Sequence, residues 1–203
     1  MKRISTMTAF AVVFVLSGCA TELTGGKYSW VTIFDGTEAS LATWDRLGTA
    51  NWRIEGGSVI ADSKNDKNSA YLVSRKSYSN FQLKVEFWVS NDANSGVFLR
   101  CRDPKKVSDR TCYEANIFDT RGDPAFGTGG IVFFANVPVP NPYRTGGKWN
   151  TYDITANGPN ITVVLNGVTT VELNNKKYKS GPIGLQYGKG VVKFRKVEIR
   201  ELQ

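Results

Sequence analysis

The sequence predicts an all-β protein, a single antiparallel β-sandwich of the jelly-roll type. Three observations predict it: apolar and polar residues alternate with period two in run after run, Gly, Asn, Asp and Pro separate the runs, and no stretch sustains a capped helical period. The clearest run is FQLKVEFWVS, where Phe81, Leu83, Val85, Phe87 and Val89 alternate with Gln82, Lys84, Glu86, Trp88 and Ser90. One face of that strand belongs to a core and the other does not.

The same period appears in WRIEGGSVIA, SGVFLRC, CYEANIF, WNTYDITA, NITVVLNG, GPIGLQY and VVKFRKVEIREL. Asn166 and Gly167, between ITVVL and VTTVEL, are the strongest turn signal, because a two-residue hairpin turn needs positive φ at both central positions. With about ten short strands and no internal repeat, two packed sheets are favoured over a propeller.

Ahead of this body the chain reads as an export signal. MKR is basic, residues 7–16 are apolar and uncharged, and Leu16, Ser17, Gly18 and Cys19 form a lipoprotein cleavage box. The apolar run is well short of the roughly 20 residues of a membrane-spanning helix. Residues 1–18 are therefore expected to be a signal peptide, Cys19 the lipidated residue, 19–29 a tether and 30–203 one folded domain. Ala20, where an Asp would retain the protein at the inner membrane, points to the outer membrane. The expected setting is the cell envelope, reached through an N-terminal lipid.

The net charge is +8, and loss of Lys2 and Arg3 with the signal lowers it to +6. Charge of this size without strong clustering serves solubility and attraction to anionic surfaces, and nucleic acid is not an expected partner in this compartment. The chain has no His, which excludes histidine-based catalysis and leaves no usual zinc site. Cys101 and Cys112 are expected to pair in an oxidising envelope. Strand parity opposes this, since Cys101 falls inward with Val97 and Leu99 while Cys112 falls outward, and a bulge would be needed to reconcile them.

Several segments together resemble the 3-keto-disaccharide hydrolase domain family of concanavalin-like jelly rolls. They are IFDGTEASLATWD, NWRIEGGSVIA, NSGVFLRC, CYEANIFD, GKWNTYDITANGPNITVVLNG, GPIGLQY and VVKFRKVEIREL, in an order that spans residues 30–202. The chain departs from the family at Asn116, where Gln is common, at GTGGIVFFANVPVPNP, and at Pro182, near which a His is common. These departures cluster around the expected pocket, so the resemblance carries the fold further than the substrate.

The resemblance implies cleavage of glycosides already oxidised to a ketone at the third sugar carbon. Such a reaction needs a base, an enolate stabiliser and an acid. Parity places Glu114 and Asn116 of CYEANIFD on an open face, with Phe98 and Arg100 of the neighbouring run beside them. The candidate catalytic groups are Glu114 as base, Arg100 or Lys148 as positive stabiliser and Asp119 as proton donor. Candidate substrate contacts are Asn116, Arg121, Asp123, Lys148 and Trp149, with Tyr143 and Trp88 as further stacking aromatics. The sequence establishes no cofactor, and a divalent cation held by carboxylates is an alternative source of positive charge. The rival readings are a non-catalytic carbohydrate-binding module, an ordinary two-carboxylate glycosidase and a structural envelope lipoprotein.

Overall fold

A computed structural model describes residues 29–203. The expectations for the signal peptide, for Cys19 and for nearly all of the tether fall on residues 1–28, outside the described residues. In chain order the first half runs β1 Val31–Phe34, the one-turn helix α1 Glu38–Leu41, β2 Trp44–Leu47, β3 Arg53–Glu55, β4 Ser58–Ala61, β5 Ala70–Tyr78 and β6 Phe81–Val89. The second half runs β7 Ser95–Leu99, β8 Tyr113–Ile117, a 3-10 turn Pro124–Phe126, β9 Trp149–Asn157, β10 Asn160–Leu165, β11 Val168–Asn174, β12 Gly181–Tyr187 and β13 Val192–Glu201.

These strands form two antiparallel sheets. One has the order β11-β10-β9-β6-β13-β4-β3, with β1 also paired to β13; the other has the order β2-β5-β12-β7-β8. The core lies between them, and the inward residues of β6 (Phe81, Leu83, Val85, Phe87, Val89) are all buried in it. Asn166 and Gly167 have φ of +50° and +82° and close a two-residue hairpin in which Leu165 pairs with Val168. The expected all-β sandwich in one domain is the observed fold.

The five-stranded sheet is covered on both faces along β7, β8, β12 and the first half of β5. Tyr71, Val73, Phe98, Cys101, Val107 and Cys112 form a second apolar cluster, separate from the main core, and the segment between the two cysteines folds over it. All residues of β7, β8 and β12 are therefore buried, and the exposed outer face expected from strand alternation is absent there. For the same reason β5 begins with five successive buried residues rather than alternating ones.

Arg100 resolves the conflict over the cysteines. It has φ of +52°, so the chain turns over immediately after β7 and the inward-outward alternation fails at that point. Cys101 joins the outer cluster instead of the core, and a disulfide links it to Cys112 with a Cα–Cα separation of 4.2 Å.

Candidate functional site

The outer face of the five-stranded sheet carries two rows of side chains. Val73, Gly184, Phe98 and Glu114 are successive partners across β5, β12, β7 and β8. In the adjoining row Gln186 pairs with Tyr71, and Gly96 with Asn116. A Cβ at Gly96 would come within 2.9 Å of Glu114 Oε1 and displace the carboxylate. Glycine leaves the floor open where the carboxylate lies.

Glu114 is only 5 % exposed and Asn116 is fully buried, so the expected open face is in fact covered. The carboxylate makes no hydrogen bond to the described residues. Burial therefore dominates its electrostatics and pushes its pKa up to about 8; the charge of Asp109 adds to the shift and that of Arg121 opposes it. Tyr71 packs edge-on against Phe98 at 5.2 Å, and burial pushes its hydroxyl up as well.

Three polar atoms on this side of the sheet and beside it are buried without a partner among the described residues: Asn116 Oδ1, Gln186 Oε1 and Arg121 Nε. Asn116 Nδ2 donates to the Phe126 carbonyl at 2.6 Å, and Gln186 Nε2 donates to Ser69 Oγ at 3.3 Å, so each amide is oriented with its oxygen left over. An orphaned buried acceptor costs about 1–3 kcal/mol, which a ligand hydroxyl would recover. Among the described residues no three His, Cys, Asp or Glu side chains gather as metal ligands. The positive charge that bears on Glu114 is that of Arg121.

Several expected site residues lie elsewhere. Arg100 is 1 % exposed and not a cross-strand neighbour of Glu114; the left-handed turn sends its guanidinium to the carbonyls of Ser79 at 2.7 Å and Gly158 at 2.8 Å. Asp119 has both oxygens engaged, accepting from Thr128 Oγ1 (2.6 Å), Thr145 Oγ1 (2.9 Å), the Thr145 amide (2.7 Å) and the Gly146 amide (3.0 Å). Asp123 is exposed and caps the 3-10 turn by accepting from the Ala125 amide at 3.2 Å. Lys148 is exposed in the turn before β9. Trp149 is 37 % exposed on the outer face of the other sheet, opposite Trp88 and under the Arg195 guanidinium at 4.2 Å. Lys148 and Trp149 are thus not brought to Glu114.

The alternation of CYEANIF was enough to place Glu114 and Asn116 on one face, whereas Gln186, Tyr71 and Asp109 went unnoticed. Gln186 had a signal, being the one side-chain amide in the otherwise apolar run GPIGLQY. Asp109 had none, since only the folding of the disulfide-closed loop carries it toward Glu114.

A family model described as the 3-keto-alpha-glucoside-1,2-lyase-like domain matches residues 29–200. The chain belongs to this family. No curated protein matches the chain. Among solved structures, this lyase-like domain is similar to two candidate glycosyl hydrolases from Parabacteroides distasonis ATCC 8503. One has 24% identity and a TM-score of 0.69 over 86% of this chain and 100% of that one. The other has 18% identity and a TM-score of 0.70 over 86% and 94%. Carbohydrate-binding module CBM66 from Bacillus subtilis has 14% identity and a TM-score of 0.59 over 85% and 95%. At these identities the structural likenesses establish the sandwich fold, and the family match carries the relation to 3-keto-glucoside lyases.

Proposed function

We propose that this lyase-like domain cleaves glycosides that carry a ketone at the third sugar carbon, with Glu114 as the base. The observation that carries this reading is a buried carboxylate, free of hydrogen bonds to the described residues and raised to about 8, beside oriented acceptors and a cationic group. A carboxylate so desolvated is a far stronger base than an ordinary one, and its pKa lies near working pH.

The ketone acidifies the hydrogen on the second carbon. Glu114 takes that proton, the C–H electron pair forms the enolate, and Arg121 offsets the negative charge on its oxygen. The enolate then expels the glycosidic oxygen from the first carbon, giving an unsaturated keto-sugar. Protonated Glu114 returns the proton to the departing oxygen, and water adds across the double bond to complete hydrolysis. Asn116 Oδ1 and Gln186 Oε1 accept hydrogen bonds from sugar hydroxyls.

The test is aglycone release from a 3-keto-glucoside and from its unoxidised parent. Release from the ketone alone, reduced roughly 10²-fold or more by Glu114→Gln in a chain that melts normally, is the expected outcome. Native turnover in Glu114→Gln removes Glu114 from the role. The same orphaned acceptors also suit a carbohydrate-binding module without turnover, and glycan binding with no cleavage of the ketone would select that reading.

The envelope setting belongs to this proposal too: the LSGC box motivates lipid attachment at Cys19 and an outer-membrane address. Fatty-acid labelling that persists undiminished in Cys19→Ser would overturn it.

A further inference from the structure

Phe133 holds a backbone conformation that bulky residues rarely adopt. Its φ is +65°, in the left-handed region that favours glycine, at a cost on the order of 1–3 kcal/mol. Its ring is nevertheless 42 % exposed, so core burial does not compensate the strain. The residue sits at the tip of a tight turn closed by the Phe134 amide on the Ile131 carbonyl (2.9 Å) and by Ile131 and Ala135 bonding to each other (3.0 and 2.9 Å).

That turn is tied to the Glu114 site. The Asn116 amide donates to the Gly130 carbonyl at 3.0 Å, and the Val132 amide donates to the Glu114 carbonyl at 3.1 Å. The segment therefore runs antiparallel alongside β8, past Asn116, then past Glu114, and Phe133 comes next. Along β8, Asn116 lies on one side of Glu114 and the backbone of Phe133 on the other, while Gln186 shares the row of Gly96 and Asn116.

A second segment meets the ring there. The Arg110 guanidinium carbon is 3.7 Å from the Phe133 ring centroid, and Phe126 abuts the ring at 5.8 Å with a 54° tilt. Arg110 adjoins Asp109, and the loop that carries both is anchored by the Cys101–Cys112 disulfide and by a hydrogen bond from the Tyr178 hydroxyl to the Arg110 carbonyl. A cation stacked on an aromatic ring holds its orientation.

We propose that Phe133, backed by Arg110, is a stacking platform for the leaving-group side of the bound glycoside, and so a specificity-determining residue that favours aglycones with an apolar face, such as an aryl group or a second sugar ring. The inference rests on the Glu114 reading above. If the reacting carbons sit over Glu114 with the ring hydroxyls toward Asn116 and Gln186, the substituent on the first carbon extends toward Phe133. Aromatic stacking there rewards a flat or C–H-rich face and is indifferent to a methyl group.

The test compares Kd values of phenyl and methyl 3-keto-α-glucosides by calorimetry on the Glu114→Gln chain, alone and combined with Phe133→Gly or Phe133→Leu. The phenyl glycoside should bind about 10-fold tighter than the methyl one. Phe133→Gly should erase that preference with little change in methyl binding, and should melt no lower than its parent because glycine accepts the positive φ. Phe133→Leu, which keeps bulk without a ring face, should also lose the preference. A phenyl preference that survives Phe133→Gly, or a parent with no preference, overturns the platform. These are binding constants, so a native chain that shows the preference but releases no aglycone overturns only the catalytic reading; binding of neither glycoside overturns both.

Discussion

The Tyr152 hydroxyl donates to the backbone carbonyl of Asn116 at 2.5 Å, joining a strand of the larger sheet to the strand that carries the candidate base. It also accepts from the Gly129 amide at 3.0 Å, and burial pushes the hydroxyl pKa up, so it stays a neutral donor. The register of β8 against the loop that covers it thus depends on a side chain from across the core.

Tyr152→Phe removes that bridge while keeping the ring. Gly129 retains a bond to the Asn116 carbonyl at 3.1 Å, so the expected loss is that of a single buried hydrogen bond, about 1–2 kcal/mol. Thermal unfolding should show a drop of several degrees. An unchanged melting temperature would mean that the bridge contributes nothing net.

Asp119 offers a sharper contrast between structural and chemical roles. An Asn there would turn a donor toward groups that are themselves donors, since the carboxylate accepts from two hydroxyls and two amides. Asp119→Asn should cost about 2–4 kcal/mol, measured by denaturant unfolding. Activity should then fall only with the folded fraction. A variant of native stability and lost turnover would instead restore Asp119 as the proton donor.

How much of this was legible follows from where the controlling contacts lie along the chain. The alternation of Phe81–Val89 and the Asn166–Gly167 turn are local properties, and both are realised as read. β12 and the first five residues of β5 are buried on both faces; alternation revealed GPIGLQY only in part, and Ala70–Tyr78 not at all. The site was half legible for the same reason. Parity along Tyr113–Ile117 paired Glu114 with Asn116, but the burial of Glu114 depends on the 101–112 loop and the Gly130–Val132 segment, which no local pattern announces. Arg100 was misplaced because one left-handed residue reverses parity, and an Arg carries no sequence signal for positive φ.

The Cys101–Cys112 bond closes a short loop with a sequence separation of 11. Chain entropy assigns such a cross-link about 2–3 kcal/mol, and the Cys101→Ser/Cys112→Ser double variant should be destabilised by that amount in denaturant unfolding. In a chain lacking Cys19, non-reducing intact-mass measurement after alkylation should show no modified thiol. Two alkylated cysteines would refute the bridge. Because Val107 and Asp109 ride on this loop, the double variant should also rehydrate Glu114 and bring its pKa back toward the ordinary carboxylate value of 4.5.

The pH dependence of Glu114 sets stability against activity. Its folded pKa, about 8, lies above the ordinary value of 4.5, so the folded state holds the proton more tightly than the unfolded chain does. Well below pH 4.5 both states are protonated and no charge is buried. As pH rises toward 8 the unfolded chain ionises first and stability falls, and above 8 both states are ionised and the loss, on the order of a few kcal/mol, is complete. The base, however, works only when ionised, so turnover on a 3-keto-glucoside should rise through the same interval and level off above about pH 8. Glu114→Gln should match the native melting temperature near pH 4 and exceed it at pH 9, where no charge is buried. Asp109→Asn, which removes the neighbouring negative charge, should move the native inflection of both curves to lower pH. Parallel melting curves for native and Glu114→Gln across this range would show that Glu114 titrates as an ordinary carboxylate, and would leave the site without its base.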